Sequence, residues 1–147
     1  MVAREVDFPP VWLAGFAAAG LLVGRAVPVS SVVTHSTGGI LVVVGLFMLA
    51  CSFAQLLLAR TSVMPGRVPR ALVTGGIFRF SRNPGYLGQV LMLAGLYLYW
   101  SAAIALPLVV LFVAILQKRF IRPEEDQLLQ RFGPECAVYK TKTRRWV

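Results

Sequence analysis

The sequence predicts an all-α, polytopic membrane protein with about four transmembrane helices, the last two forming a helical hairpin, and a short cytosolic C-terminal helical segment. Of the 147 residues, 57% are hydrophobic and only 14% are charged, far below the roughly 25% charged residues of a soluble domain. Its uncharged stretches are long enough to cross a bilayer. The basic residues lie between these stretches rather than in one patch, which is typical of membrane-flanking arginines.

The first two spans follow from the apolar stretches of the N-terminal half. Residues 8–29 are predicted to form the first span, with Arg25 near its end. The absence of a small-residue cleavage site after it favours a retained span over a signal peptide. The Ser-, Thr- and Gly-rich segment 30–39 is predicted to be a loop. Residues 39–59 then form the second span, because about 20 residues cross a bilayer core.

The last hydrophobic stretch is too long for a single span. Residues 83–117 are 35 residues without a charge. A single helix of that length would be roughly 52 Å long, whereas a bilayer core is about 30 Å thick. We therefore expect two arms, residues 83–100 and 101–120, with the turn near Trp100. In the second arm, Pro107 is expected to kink the helix.

Charge then orients the chain. The loop 60–82 holds five arginines, and eight further basic residues follow from Lys118 onward. By the positive-inside rule, the N-terminus, the loop 60–82 and the segment 123–147 face the cytoplasm. The sequence thus predicts a multi-pass protein of the plasma or inner membrane whose two charged regions lie on the cytoplasmic side.

Two short motifs flank the predicted hairpin. Arg79-Phe80-Ser81-Arg82-Asn83-Pro84-Gly85-Tyr86-Leu87-Gly88 precedes it, and Arg122-Pro123-Glu124-Glu125 follows it. A hairpin returns to the face it left, so we expect the two motifs to meet at one membrane surface. Asn83 is predicted to cap a helix whose first amides attract an anion. Pro123 is predicted to begin a second helix with acids in its first turn, and Gly133 to end it.

Each motif also has a structural interpretation. Arginines before a span commonly reach lipid phosphates, Tyr86 suits the membrane interface, and Gly88 suits helix packing. The acids could simply stabilise a helix dipole. His35, Cys51 and Cys136 are scattered, so no metal site is predicted. The distribution of basic residues argues against nucleic acid as a partner.

Taken together, the motifs resemble the isoprenylcysteine carboxyl methyltransferase family and its phospholipid methyltransferase relatives. The resemblance covers about residues 72–146. It rests on Gly76, Arg79, Arg82-Asn83-Pro84-x-Tyr86-x-Gly88, Glu124-Glu125-x-x-Leu128, Phe132-Gly133, Tyr139 and the Arg144-Arg145-Trp146 ending. It implies an integral membrane enzyme that moves the methyl group of S-adenosyl-L-methionine to a lipophilic or lipid-linked acceptor, such as the carboxylate of an isoprenylated cysteine.

The resemblance also implies roles for individual residues. The implied contacts to S-adenosyl-L-methionine are Arg82, Asn83, Tyr86, Gly88, Glu124 and Glu125. The implied catalytic residues are Arg79, Glu125 and Arg144, the two arginines orienting the acceptor. An amine acceptor would need a base, which Glu124 or Glu125 could provide. Many members have His at the position of Asn83, and since Asn cannot carry charge, a titrating role is excluded at this position. Many also have Tyr at the position of Cys136, so this sequence lacks one possible aromatic ring in the wall of the site.

Two other functions fit parts of the sequence. Membrane reductases of the sterol-reductase type have a similar C-terminal hairpin and bind NADPH, but their additional N-terminal spans are missing here. A non-enzymatic membrane scaffold would leave the order and spacing of the two motifs unexplained. Binding of S-adenosylhomocysteine or of NADPH separates the three hypotheses.

Overall fold

The described part of the chain is all-helical. A computed structural model describes residues 8–29, 31–64 and 67–147, and no strand occurs among them. Two short 3₁₀ helices, Gly76–Arg79 and Ala103–Ala105, and one π-helical segment, Gln117–Ile121, accompany five α-helices. These are α1 (Pro9–Ala26), α2 (Val32–Leu58), α3 (Pro84–Tyr99), α4 (Pro107–Leu116) and α5 (Arg122–Lys142). The predictions made for residues 1–7, Ser30, Pro65 and Gly66 fall outside the described residues.

Helix α2 begins earlier than the sequence predicts. The side chain of Ser31 accepts a hydrogen bond from the Thr34 N–H at 3.1 Å, and the Thr34 hydroxyl oxygen accepts one from the Ser31 N–H at 2.9 Å. This reciprocal capping box satisfies two amides that a helix start leaves unpaired. The predicted loop is therefore wrong from Val32 onward, because Ser and Thr here act as a cap rather than as loop formers.

Glycines bring α2 and α3 into close contact. A Cβ atom built on Gly88 would lie 2.6 Å from the carbonyl oxygen of Gly45, and one built on Gly95 would lie 2.7 Å from that of Gly38. Such distances leave no room for a side chain, so the two backbones approach directly. The start of α3 therefore lies at a fixed distance from the end of α2, which positions the side chains of both helices around one cleft.

Helix α1 and the residues after α3 complete the core. The ring of Tyr97 fills the space over Gly20, and its hydroxyl donates a hydrogen bond to the carbonyl oxygen of Phe16 at 2.7 Å. Phe16 in turn packs against Phe112 of α4, with ring centroids 5.3 Å apart. Residues 16–20 of α1 are thus held against both α3 and α4.

The chain turns after α3 where the sequence predicts. Helix α3 ends at Tyr99, and Ser101 adopts a positive φ of 60°. The expected kink at Pro107 is absent, because Pro107 is the first residue of α4 and its missing N–H needs no helical partner there. The carbonyl of Ala103 accepts a hydrogen bond from the Leu106 N–H instead.

The predicted helix start at Pro123 is also wrong. Helix α4 continues through the π-helical segment into α5 without a break in helical backbone angles at Ile121. A π-helical segment bonds residues five apart and so changes the register just before a residue that has no N–H to donate. The next irregularity is a bend rather than an end: Gly133 has φ 46° and ψ −118° inside α5. The predicted helix end at Gly133 is therefore a kink.

Among the residues that the structure describes, two helices have the length and composition of a membrane span. These are α1, with 18 residues, and α2, with 27 residues, whereas α3 has 16 and α4 has 10. Much of the surface of α2 is apolar and exposed, including Val32, Val43, Phe47 and Leu58. Such a surface is typical of contact with lipid. The number of spans beyond these two stays a prediction.

Candidate active site

The C-terminal segment lies across the residues that lead into α3. The Tyr139 hydroxyl donates to the carbonyl oxygen of Phe78 at 2.5 Å, and the Thr143 hydroxyl to that of Arg79 at 3.4 Å. The Arg82 N–H donates to the carbonyl oxygen of Arg144 at 3.0 Å. These bonds join residues about 60 positions apart in the sequence, so the first motif and the end of the chain form one structural unit.

Asn83 contributes to this unit differently from the prediction. It precedes the first residue of α3, as expected, but its side chain makes no capping bond to the helix. Its Nδ2 instead donates to the carbonyl oxygen of Arg145 at 3.3 Å, and Ser81 Oγ donates to the same oxygen at 3.3 Å. The predicted cap is wrong because the Asn83 side chain pairs with a carbonyl of the tail instead of an amide of α3.

Glu125 is the centre of a buried ionic cluster. Arg145 binds its carboxylate with two hydrogen bonds, Nε to Oε1 at 2.9 Å and a terminal nitrogen to Oε2 at 2.8 Å. A terminal nitrogen of Arg82 lies 3.5 Å from Oε1, and Lys140 Nζ lies 3.7 Å from Oε2. Glu125 itself is only 6% exposed. One carboxylate therefore holds three cations from three parts of the chain.

This cluster determines the ionisation of Glu125. Burial disfavours its charged form, but the hydrogen bonds from Arg145 and the charges of Arg82, Arg145 and Lys140 outweigh that effect. The pKa of Glu125 is consequently lowered. The carboxylate stays charged at neutral pH, and it is the counter-ion of the arginines rather than a group that exchanges protons.

Glu124 is in a different environment although it is the adjacent residue. Its Oε1 accepts a hydrogen bond from the Tyr86 hydroxyl at 2.8 Å. Burial raises the pKa of Glu124 to about 7, and the bond from Tyr86 opposes this rise only in part. Tyr86 is held in turn by Phe120, with ring centroids 6.4 Å apart. The second motif therefore contacts the first through both of its acids.

A cavity of ≈ 270 Å³ opens beside these groups. Arg82, Glu124, Glu125 and Lys140 form its charged end, and the first residues of α3 form one wall. Arg67 of the loop between α2 and α3 adds a further charged side chain to the lining. The remaining walls of the cavity are mostly apolar and come from α1, α2 and the loop between α2 and α3. They include Phe8, Leu13, Leu49, Phe53, Val63, Leu72 and Phe78. The cavity thus combines a charged end with a lipophilic body.

The structure brings together five of the predicted site residues, which all line the cavity: Arg82, Asn83, Tyr86, Glu124 and Glu125. Gly88 lies outside the lining and contacts Gly45 instead. Arg79 and Arg144 have exposed side chains and do not line the cavity; both are held through their backbone carbonyls. Their predicted role in orienting the acceptor stays a prediction.

Sequence reasoning missed three residues of the site. Arg145, rather than its neighbour Arg144, binds Glu125, and Lys140 joins the same carboxylate. Gln89 lines the cavity from α3 and is only 6% exposed. It follows Asn83 and Tyr86 at intervals of three residues, a spacing that places all three on one helix face. That spacing was a usable signal for Gln89, whereas no signal separates Arg144 from Arg145.

Metal ligands are not grouped in this region. Across residues 8–29, 31–64 and 67–147, no three His, Cys, Asp or Glu side chains lie close enough together to hold a metal ion. Cys136 lines the cavity but is buried, and burial is the main cause of the raised pKa of its thiol.

The described residues combine an all-helical fold, two apolar candidate spans and a charged, partly lipophilic cavity, which is typical of a membrane protein that binds a small molecule. A comparison with family models identifies the family: residues 33–135 match the phospholipid methyltransferase model, and the chain belongs to that family. Family membership makes it a membrane methyltransferase and confirms the resemblance seen in the sequence. Searches of curated proteins and of solved structures returned no match.

Proposed function

We propose that the chain is a multi-pass membrane enzyme that transfers the methyl group of S-adenosyl-L-methionine to a lipophilic acceptor. One observation carries the proposal: two motifs about 40 residues apart meet at one cavity, through Tyr86–Glu124 at 2.8 Å and Arg82–Glu125 at 3.5 Å. Phospholipid methyltransferases generally use this cofactor. The arrangement therefore combines the family's chemistry with a built site.

The residues at the charged end fit the polar groups of the cofactor. Arg82 Nε is buried and has no hydrogen-bond partner among the described residues, so it is available to a carboxylate, while one terminal nitrogen of Arg82 faces Glu125 at 3.5 Å. Glu124 can accept hydrogen bonds from an ammonium group or from ribose hydroxyls. The ring of Tyr86 can face a sulfonium cation. Glu125 positions Arg82, and the backbone around Asn83 and Gly88 fixes the start of α3.

The cofactor supplies an electrophilic methyl group when it is bound. The contribution of the chain is to hold both reactants in line and to exclude water. The apolar walls from α1 and α2 favour an acceptor with a hydrocarbon chain. A carboxylate acceptor, such as that of an isoprenylated cysteine, needs no base, so alignment is the main requirement.

An amine acceptor is a second candidate, favoured by the state of Glu124. With a pKa of about 7, this carboxylate can remove a proton from an ammonium group near neutral pH. Glu125 does not fit this role, because three cations hold it in its charged form. Arg79 and Arg144, whose side chains lie at the surface, stay candidates for orienting an anionic acceptor.

The proposed membrane arrangement follows the charges. Four spans, the last two a hairpin of short helices, place the arginine-rich loop 60–82 and the segment 123–147 on the cytoplasmic side. The charged end of the cavity then faces the cytoplasm, where nucleotide-derived cofactors are made. The lipophilic body of the cavity faces the bilayer, from which an acceptor can enter.

The experiment uses the detergent-purified protein. Equilibrium binding of S-adenosylhomocysteine is expected, with NADPH as the matched nucleotide that should not bind. Radiolabelled methyl transfer is then measured to N-acetyl-S-farnesylcysteine and to phosphatidylethanolamine vesicles. Label that base releases as volatile methanol comes from a methyl ester and identifies a carboxylate acceptor, whereas label that stays non-volatile after base treatment identifies an N-methylated amine. Binding of NADPH alone would favour the reductase, and binding of neither compound would favour the scaffold.

A further inference from the structure

Gln89 is a buried polar side chain that the cofactor contacts do not use. It lies on α3, is 6% exposed and lines the cavity. Its Oε1 atom is buried and has no hydrogen-bond partner among the described residues. A buried carbonyl oxygen without a donor destabilises a fold, and polar side chains within membrane segments usually face a functional cavity. The structure therefore leaves one hydrogen-bond acceptor available to a ligand.

The position of Gln89 separates it from the ionic cluster. A helix rises 1.5 Å per residue, so Gln89 lies about 9 Å farther along α3 than Asn83 and about 4.5 Å farther than Tyr86. Near this level α3 packs against Gly45 and Leu49 of α2, since a Cβ atom built on Gly88 would lie 2.6 Å from the Gly45 carbonyl oxygen and 3.1 Å from the Leu49 nitrogen, and Leu49 also lines the cavity. Gln89 is thus a polar group in the lipophilic body of the cavity, beyond the residues that fit the cofactor.

We propose that Gln89 is an acceptor-recognition residue. Its Oε1 accepts a hydrogen bond from an N–H or O–H group that lies next to the methylated position of a lipophilic substrate. The inference rests on the proposed methyl transfer and adds a substrate requirement to it. A lipid-linked amino acid derivative, with an amide N–H beside its carboxylate, meets this requirement. A fatty-chain acid without that donor does not.

A matched pair of carboxylates tests the requirement. N-acetyl-S-farnesylcysteine carries an amide N–H beside the carboxylate, and S-farnesylthiopropionic acid is the same acid without it. With the full-length protein in detergent, we expect kcat/KM to be about tenfold higher for the first compound, the effect of one hydrogen bond worth about 1.4 kcal/mol. Gln89→Met, which keeps the length of the side chain, should abolish that preference.

Two controls separate recognition from folding and from cofactor binding. Gln130→Met makes the same change on an exposed side chain of α5 and should keep the tenfold preference. In Gln89→Met, the Kd for S-adenosylhomocysteine should stay within about twofold of the wild-type value, because Gln89 lies beyond the cofactor contacts. If Gln89 merely supported helix packing, Gln89→Met would change kcat/KM for both compounds equally.

Three outcomes overturn the inference. The first is a Gln89→Met protein that still prefers the amide-bearing compound, and the second is a wild-type protein that does not distinguish the pair. The third is a wild-type protein that binds S-adenosylhomocysteine but methylates neither acid, which leaves methyl transfer standing and removes this acceptor class. Failure to bind S-adenosylhomocysteine at all is the separate result that overturns the proposed function itself.

Discussion

Replacing Glu125 by Gln removes one charge from the centre of the ionic cluster and keeps the shape of the side chain. The carboxylate is 6% exposed and binds Arg145 through two bonds of 2.8–2.9 Å. Breaking a fully buried pair on one side costs about 3–5 kcal/mol. The side chain of Arg145 retains 30% exposure, so solvent screens part of the interaction and we expect a loss of about 2–3 kcal/mol.

Cofactor affinity should fall together with stability. Without the carboxylate, Arg82, Lys140 and Arg145 repel one another, and Arg82 loses the partner that fixes its buried guanidinium beside the cavity. We expect the Kd for S-adenosylhomocysteine to rise at least tenfold, which corresponds to about 1.4 kcal/mol. Calorimetry or fluorescence titration of the detergent-purified protein measures this change, and denaturant titration measures the free energy of unfolding.

A double-mutant cycle tests whether Glu125 and Arg145 act as one unit. Arg145→Gln alone should weaken binding and lower stability as Glu125→Gln does. In the double variant, the free energy of unfolding should fall by about 2 kcal/mol less than the sum of the falls in the two single variants. Arg144→Gln is the matched neighbour control, because its side chain is exposed and its carbonyl contact to Arg82 is kept. Additive single effects, or an Arg144→Gln variant that binds as poorly as Arg145→Gln, would refute this reasoning.

Glu125→Gln should also change how the stability of the protein depends on pH. Because the pKa of Glu125 is lowered from an ordinary value of 4.5, its stabilising effect is fully present above that value. It is lost as pH falls through the lower pKa of the folded state. Glu125→Gln should therefore flatten the acid side of the stability curve. An unchanged acid limb would show that another group causes it.

Two further predictions concern Glu124 and the contact between α2 and α3. The folded protein holds the Glu124 proton up to about pH 7, whereas the unfolded chain loses it near 4.5. The melting temperature should therefore fall between about pH 4.5 and 7 and then level off; Glu124→Gln should remove the slope, and Tyr86→Phe should extend it to higher pH. A slope that persists in Glu124→Gln contradicts the assignment. In Gly88→Ala, the new Cβ would lie 2.6 Å from the Gly45 carbonyl oxygen, so denaturant titration should show a loss of about 1–3 kcal/mol. Gly15→Ala, with nothing within 4 Å, should change stability by less than about 0.5 kcal/mol, and equal losses would refute the packing argument.

The contact between the two motifs could be predicted because bilayer thickness limits helix length. A 35-residue uncharged stretch has to turn, and a turn brings its ends together regardless of detailed side-chain packing. The structure confirms the contact, with Tyr86 beside Phe120 and bonded to Glu124. The family resemblance drawn from the two motifs is confirmed as well, by the family-model match over residues 33–135. Both results depend on order and spacing, which a sequence states directly.

Helix boundaries were less accessible because they depend on local hydrogen bonds. Ser31 and Thr34 have the composition of a loop, yet their side chains and amides pair with each other and begin a helix. At Pro123, composition indicates a helix start, but the preceding π-helical segment continues the helical backbone from α4 into α5. In both places the helix boundary depends on which hydrogen-bond donor pairs with which acceptor, and several such pairings are compatible with the same amino-acid sequence.

The choice between Arg144 and Arg145 shows a different limit. Both residues belong to a segment after α5 that has no helical periodicity, so neighbouring side chains point in different directions without a fixed rule. The side chain of Arg144 is exposed to solvent, and its carbonyl oxygen accepts a hydrogen bond from the Arg82 N–H. The guanidinium of Arg145 instead binds Glu125. The tail's path is set by contacts with residues 78–83, and such long-range contacts are not written in local sequence.

Glu124 and Glu125 show how one helix turn can assign two roles to two identical side chains. Adjacent residues on a helix point about 100° apart. Glu125 therefore faces Arg82, Lys140 and Arg145, which keep it charged. Glu124 faces Tyr86 and apolar walls, and its burial raises its pKa to about 7 although the hydrogen bond from Tyr86 opposes the rise. Two carboxylates whose pKa values are pushed in opposite directions are candidates for different acid–base roles. Here the charged carboxylate of Glu125 lies among the cations that it binds, and the proposed role of Glu124 as a base places a titrating carboxyl group beside the cavity. The first turn of α5 is thus compatible with a carboxylate acceptor, which needs only alignment, and with an amine acceptor, which needs a base.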